Sequence, residues 1–508
     1  MSLKRNVVAN YVGQGWRVIM SLAFVPLYIK YLGIEAYGLI GIFAMLQAWL
    51  GLLDMGMRPT LAREMARFTG GARNVQSIWD LLRSIEVIAV AIAGFIAIGI
   101  WAASGWLASD WVNGEKLDVD TSAKAFALMG IVTALQFVES IYSSSLAGLQ
   151  KQVLQNIVIT SMATARGLGA VGVLMWLSPT IGAFFIWQGL ISLFSVALFA
   201  LLVYRNLPFP SRAATFSIPA LVGVWRYAGG MIGITLLSLL LTQVDKLILS
   251  RLLTLEAFGY YALAAMASNT LHVFVSPISA AYFPVYTELV VKGDAAALRK
   301  AYHNGAQLVT VLMGSAAIVL MLFADRILFV WTADPVLAQT VAPLLAVLSL
   351  GTLLHGLMWI PYQMQLAHGW TSLAIKINVI TVALLVPTII LVVPKYGAIG
   401  AAWVWVALNS GYVLIGVHFM YQHILNSEKW IWYRDDVFLP LAVGGLTAQL
   451  CRWGFSGQFG RVLELGLMFF ISSTVLATTA LAAPLVRRQM VRYMPPTIQR
   501  FLLTKDDR

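Results

Sequence analysis

Fourteen runs of mostly apolar residues, each about as long as one bilayer-crossing helix, follow one another along this 508-residue chain. They lie near 7–29, 37–57, 84–107, 122–148, 154–177, 181–203, 227–250, 257–284, 304–324, 337–363, 372–393, 397–420, 437–453 and 462–484. In hydrocarbon every backbone N–H and C=O must be satisfied within the segment, so such runs are read as helices. The breaks between them are too short for a soluble domain. Composition agrees: 60% of residues are hydrophobic and 11% charged, with a mean hydropathy of +0.81. Soluble domains carry about 25% charged residues, and so little charge excludes a soluble globular enzyme. The single cysteine, Cys451, excludes a disulfide framework and any cysteine-based metal site.

The expected fold is an all-α polytopic membrane protein with about 14 transmembrane helices. The start, with Lys4 and Arg5 before an apolar run, looks like a signal peptide. The run is too long for one, carries Gln14 and Arg17, and lacks a small-residue cleavage site, so it reads as an uncleaved first span. With the N-terminus inside, 22 of the 34 basic residues fall on cytoplasmic ends, eight fall outside, and four lie within spans. An even span number then places both termini in the cytoplasm. The net charge of +12 is accounted for by topology, and nucleic acid is not an expected partner. The segment Arg58–Arg83 reads as an amphipathic connector against anionic lipid. Asp80, Arg83 and Glu86, at i, i+3 spacing, read as a solvated ladder.

The chain also repeats itself. Leu32-Gly33-Ile34-Glu35-Ala36-Tyr37-Gly38 aligns with Leu253-Thr254-Leu255-Glu256-Ala257-Phe258-Gly259, a shift of 221 residues. Asn10, Gln14, Arg17 and Ser21 share one face of span 1, and Thr235, Ser238, Thr242 and Asp245 share one face of span 7. Under the same shift Gln14, Arg17 and Ser21 fall on Thr235, Ser238 and Thr242. Two six-helix lobes related by this repeat, each presenting a polar stripe to a central cavity, are expected. The division is 1–205 (spans 1–6), 206–425 (spans 7–12), 426–486 (spans 13–14) and a basic tail, 487–508.

A charge at mid-bilayer costs about 2.5–3.5 kcal/mol, so the four basic residues inside spans should face a cavity or an acid. They are Arg17, Arg166, Lys246 and Lys376. Arg17 is the strongest site candidate; its structural alternative is an ion pair with a carboxylate such as Glu139. A cationic cavity suits an anionic headgroup, phosphate above all. Asp245 and Glu139 could bind a coupling proton or sodium ion, or simply neutralise neighbouring bases. Span 8 adds a polar face of Asn269, His272, Ser276 and Ser279. Gly167-Leu168-Gly169-Ala170-Val171-Gly172 matches a dinucleotide fingerprint but follows no strand, and helix packing through small residues is the better reading.

Asn10-Tyr11, the stretch Tyr31–Gly38, Leu53-Asp54-Met55-Gly56-Met57, Thr242-Gln243-Val244-Asp245-Lys246 and Gln365-Leu366-Ala367-His368-Gly369 resemble polysaccharide-type flippases. These are the O-antigen-like, lipid-linked oligosaccharide flippases of the multidrug/oligosaccharidyl-lipid/polysaccharide exporter superfamily. The resemblance covers the first twelve spans. It implies two lobes rocking between inward-open and outward-open states, and movement of undecaprenyl-pyrophosphate-linked oligosaccharide from the inner to the outer leaflet of a bacterial inner membrane. The family's basic residues in span 1 and at the cytoplasmic end of span 2 carry over to Arg17 and Arg58. Related lipid II flippases have a second span-1 arginine where Phe24 and Val25 stand here, which weakens a peptidoglycan-precursor assignment.

The expected substrate-binding set is therefore Arg17, Arg58, Arg166, Lys376, Gln14, Asn10 and Asn269, with Asp245 and Glu139 for ion coupling. No cofactor or metal is expected; a proton, a sodium ion or the membrane potential could drive the cycle. Expected partners are the lipid-linked oligosaccharide and membrane lipids, with a glycan polymerase and a chain-length regulator as further candidates. A cation-coupled multidrug exporter is the first rival reading, disfavoured by four buried bases. A membrane polymerase or ligase is the second, disfavoured by the short outer loops.

Overall fold

The computed structural model describes residues 3–491 except 55, 456 and 458. It describes the side chains of these outside 3–11, 50–51, 220, 222–235, 238 and 491. The described chain is helical; its one β contact is an isolated bridge between Asn113 and Thr254. Ten helical stretches among the described residues are long and apolar enough to cross a bilayer, and a shorter apolar helix, Ile34–Trp49, joins them. The two spans expected at 372–393 and 397–420 both lie within Ser372–His423, as two helices separated by a kink at Gly397 (φ 61°). The run at 437–453 is a 16-residue helix, Leu439–Gly454.

Contacts divide the chain into two units, Met1–Gly259 and Tyr260–Arg508. The first comprises α1 (Leu3–Ala23), α2 (Val25–Leu32), α3 (Ile34–Leu53), α4 (Met57–Thr69), α5 (Val75–Trp106), α6 (Val119–Gly148), α7 (Gln152–Trp176), α8 (Ile181–Asn206), α9 (Ile218–Leu252) and the start of α10 (Leu255–Asn269). Polar residues at the breaks act as N-caps: the side chains of Asn74, Asp118 and Thr180 accept from the N–H groups of Ser77, Thr121 and Ala183. The core forms where α5, α6 and α8 meet, burying Leu81, Ile85, Phe137, Ile141, Phe199 and Val203. Lipid offers no hydrophobic driving force between helices, so close packing depends on small residues. A Cβ on Gly148 would lie 2.3 Å from the Ala62 carbonyl oxygen. Gly167 and Gly169 are equally tight against Phe24 and Trp187, so the fingerprint-like glycines do serve helix packing.

The two copies of the repeated motif meet inside this unit. A Cβ on Gly38 would sit 2.5 Å from the Leu255 carbonyl oxygen, and one on Gly259 would sit 2.4 Å from that of Ile34. Gly38 and Gly259 thus each receive the backbone of the other copy.

Part of the connector reading needs correction. Only α4 and the turn after it connect spans; residues from Val75 onward already belong to the long helix α5. Asp80 and Glu86 are buried rather than solvated, at 7% and 6% exposure. Asp80 binds Arg212 at 2.8 Å, and Glu86 binds Tyr204 at 2.5 Å and Arg83 at 3.4 Å. The ladder spacing was there, but two of these partners come from beyond residue 200.

The second unit continues through α11 (His272–Lys292), α12 (Ala295–Val309), α13 (Ser315–Leu322), α14 (Ala324–Thr332), α15 (Pro335–Leu357), α16 (Trp359–Ala367), α17 (Ser372–Gly411), α18 (Val417–His423), α19 (Lys429–Ile431), α20 (Leu439–Gly454), α21 (Arg461–Ala482) and α22 (Pro484–Val491). The last two apolar helices, α20 and α21, pack on α13 through Ile318, Phe323, Ala448, Met468, Ile471 and Val475. A buried polar cluster fastens them at one end. Gln307 donates to Asp436 (2.8 Å) and accepts from the Leu485 N–H (2.8 Å), while His303 lies 2.5 Å from Asp436 and 3.2 Å from Glu428. Arg326 joins Glu464 at the other end (3.4 Å).

Candidate functional site

Each candidate base can be judged by its counter-charge. Arg17, on α1, is exposed, and its Nε donates to the Gly13 carbonyl one turn earlier at 3.3 Å. Among the described residues no carboxylate lies within ion-pair distance of it. Gln14 is exposed on the same helix, whereas the side chain of Asn10 lies outside the described residues. The helix is held to α7 by a hydrogen bond from Trp16 Nε1 to Thr164 Oγ1 (2.9 Å) and by Gly13 packed against Asn156.

Arg58 stands at the start of α4, after a turn in which Gly56 takes φ 74°, a left-handed conformation that glycine adopts without penalty. Asp54, 4% exposed, binds it twice: Oδ1 accepts the Arg58 N–H at 3.0 Å and Oδ2 lies 3.3 Å from Nε. Beside this pair is a cavity of about 450 Å³ lined by Asp54, Arg58, Ser140, Ser143, Ser144 and Gln155, among others. The three serines share one face of the last turns of α6. Their i, i+3, i+4 spacing was a readable signal that the sequence reading passed over.

Arg166 and Glu139, assigned separate roles from sequence, form one ion pair at 2.6 Å between α7 and α6. Arg166 also reaches Ser192 Oγ on α8 (3.3 Å), and Gln136 donates to the same hydroxyl (3.5 Å) while accepting from Gln47 on α3. Four helices thus share one polar network, of which sequence reasoning found two members. Glu139 neutralises Arg166 and is not the partner of Arg17.

Asp245 and Lys246 on α9 lie 3.9 Å apart, and Lys246 Nζ donates to the Thr242 carbonyl at 2.7 Å. Neighbouring residues leave a helix in different directions, but the long lysine stem folds back far enough for this contact. Thr235 and Ser238, of the same expected stripe, lie outside the described side chains. In the second unit Lys376 on α17 is exposed, with no carboxylate partner among the described residues; Asn269, at the end of α10, is exposed. His272 and His355 meet edge to face at a centroid distance of 5.4 Å, flanked by Trp359 and Trp405. No cluster of three or more His, Cys, Asp or Glu side chains suited to a metal occurs among the described residues.

Chemically, the first unit offers an acid-free arginine, a second arginine oriented by its own aspartate beside a hydroxyl-lined cavity, and a third already neutralised. That inventory suits an anionic, hydroxyl-bearing ligand better than a cationic one.

The chain is 20% identical over 406 residues to a Shigella flexneri protein named "Putative O-antigen transporter", covering 80% of this chain and 94% of that one. Among solved structures it is similar to the lipid II flippase MurJ in an inward closed conformation. That match has a TM-score of 0.66 at 12% identity, over 93% of this chain and 97% of that one. It is also similar to an inward-facing multidrug resistance MATE family transporter of the MOP superfamily, with a TM-score of 0.64 at 14% identity, over 81% and 96%. The fold is therefore that of the MurJ and MATE transporters. A family model described as "Polysaccharide biosynthesis protein" matches residues 3–290, more than half of the sequence, and the chain belongs to that family.

Proposed function

We propose that this protein is a flippase for undecaprenyl-pyrophosphate-linked oligosaccharide, an O-antigen or exopolysaccharide unit, and not an enzyme. It would carry the headgroup from the inner to the outer leaflet of a bacterial inner membrane by alternating access through a cationic cavity, both termini being cytoplasmic. The observation that carries this reading is Arg17: an exposed guanidinium in an apolar helix, with no carboxylate partner among the described residues. Holding an uncompensated cation there costs about 2.5–3.5 kcal/mol, and a diphosphate would supply the missing charge through bidentate hydrogen bonds.

Arg58 and Lys376 add positive charge along the route, with Gln14, Asn10 and Asn269 as polar contacts. Arg166 takes part only if Glu139 releases it. Asp245 and Glu139 are the groups through which a proton or sodium ion would couple; the membrane potential alone also favours outward movement of an anion. A cation exporter would require carboxylates free of arginine, and both Asp54 and Glu139 are engaged by one.

The test is Arg17→Ala in a strain dependent on this protein for export. Export should stop, with lipid-linked oligosaccharide accumulating on the inner leaflet, and Arg17→Lys should restore part of it. Full export by Arg17→Ala would overturn the reading.

A further inference from the structure

The cavity beside Arg58 has a wall that phosphate chemistry does not explain. Ser140 Oγ donates to the Phe137 carbonyl (2.6 Å) and Ser144 Oγ to the Ser140 carbonyl (2.8 Å). With their protons spent on their own helix, both hydroxyls turn lone pairs outward. Gln155 Nε2 donates to Ser143 Oγ (3.0 Å), and neither Gln155 Oε1 nor the Ser143 proton has a partner among the described residues. Lone pairs dominate this wall and would repel a phosphate oxygen. They accept from hydroxyl groups, and Ser143 can donate in return. In the same lining, Arg58 uses Nε for Asp54 and has no partner for either Nη among the described residues, which leaves the planar fork for a bidentate anion. At about 450 Å³, the space is that of a small-ligand pocket, about 300–1,000 Å³.

We propose, resting on the flippase reading above, that this cavity is the subsite for the sugar directly bonded to the pyrophosphate. Arg58 takes the phosphate through Nη1 and Nη2, and Asp54 positions the guanidinium. Ser140, Ser143, Ser144 and Gln155 bind the hydroxyls of the first sugar. A sugar hydroxyl donates and accepts at once, which is the valence pattern this wall offers. The cavity lies between the α3–α4 junction and the last turns of α6.

The experiment measures binding to the purified full-length protein in nanodiscs. The probes are undecaprenyl pyrophosphate and a panel of undecaprenyl-pyrophosphate-linked monosaccharides (N-acetylglucosamine, glucose, galactose). At least one monosaccharide should bind more tightly than the bare pyrophosphate. The Ser140→Ala/Ser143→Ala/Ser144→Ala variant should lose that increment, about three- to tenfold for each hydrogen bond removed, and keep the wild-type Kd for undecaprenyl pyrophosphate. Alanine is the best helix former, so α6 should persist. Arg58→Ala should weaken both ligand types by the same factor, and Asp54→Asn should do so to a smaller extent. The sugar subsite is overturned if wild type binds every probe equally, or if the serine variant weakens both types alike or neither. Those outcomes leave the flippase reading standing; failure of wild type to bind any probe would remove both.

Discussion

Replacing Glu35 by alanine should undock the segment 113–118 from the helix it rests on. Glu35 opens α3 and is 4% exposed. Its Oε1 accepts from the N–H groups of Glu115 (2.7 Å), Lys116 (3.1 Å) and Leu117 (3.3 Å), and its Oε2 from Lys116 (2.9 Å). Three successive N–H groups form a nest around one carboxylate. Hydrogen bonds to a charged group contribute about 1.5–3 kcal/mol each. Counting only those from Glu115 and Lys116 gives about 3–6 kcal/mol of docking. The same segment is also tied by Lys116 Nζ to Glu256 at 2.7 Å, but those side chains are 68% and 29% exposed. A surface pair of this kind contributes about 1 kcal/mol or less. Hydrogen exchange read by mass spectrometry over 113–118 separates the two. Glu35→Ala should lower protection about 100-fold or more, since each 1.4 kcal/mol is tenfold, and Lys116→Ala by less than about fivefold. Glu35→Gln should lose less than Glu35→Ala, because its amide oxygen can take the Oε1 position and keep accepting from Glu115 and Leu117. Equal loss in Glu35→Ala and Lys116→Ala, or unchanged protection in Glu35→Ala, would refute the reasoning.

Two further outcomes are read by thermal unfolding in detergent. Glu139→Ala leaves Arg166 part-buried without its counter-charge and should cost about 3–5 kcal/mol, whereas Glu139→Leu/Arg166→Met should recover most of that; a double variant no more stable than the single one would count against a mutually neutralising pair. Gly259→Ala places a methyl group 2.4 Å from the Ile34 carbonyl oxygen and should cost about 1–3 kcal/mol. Gly94→Ala and Gly99→Ala, where nothing lies within 4 Å, should be neutral or mildly stabilising, and a Gly259→Ala protein as stable as these would show that the motifs do not pack as described.

What sequence made legible was whatever repeats at helical or bilayer period. The all-helical, bilayer-length architecture follows from hydropathy, with ten stretches among the described residues long and apolar enough to cross. The motif at Leu32–Gly38 and Leu253–Gly259 was visible as similarity, and the structure supplies its physical reason: Gly38 and Gly259 are each needed for the close approach of the other copy. What stayed hidden were partnerships between helices. Arg166 and Glu139 are 27 residues apart, Asp80 and Arg212 are 132 apart, and His303 and Asp436 are 133 apart. No local period encodes such distances. Hydropathy marks Gln47, Gln136 and Ser192 only as mildly polar residues in apolar runs, and only packing shows that they form a chain ending on one guanidinium.

Pairing also changes what the bases within the spans mean. Counted from sequence, Arg17, Arg166, Lys246 and Lys376 are four equal charges in lipid, and their sum argues for an anionic cargo. In the folded chain Arg166 has Glu139 at 2.6 Å and Lys246 has Asp245 at 3.9 Å, so neither is an uncompensated positive charge awaiting a ligand. The force of the argument passes to Arg17 and Lys376, which have no acid among the described residues, and to Arg58, whose acid engages one edge of the guanidinium and leaves the other edge open. A neighbouring carboxylate can therefore do two opposite things to a base: Glu139 consumes the charge of Arg166, whereas Asp54 aims that of Arg58. The distinction rests on which guanidinium nitrogen is taken. A terminal Nη held by Glu139 and Ser192 is lost to phosphate, while an internal Nε held by Asp54 leaves the two Nη groups side by side, the spacing that two phosphate oxygens require.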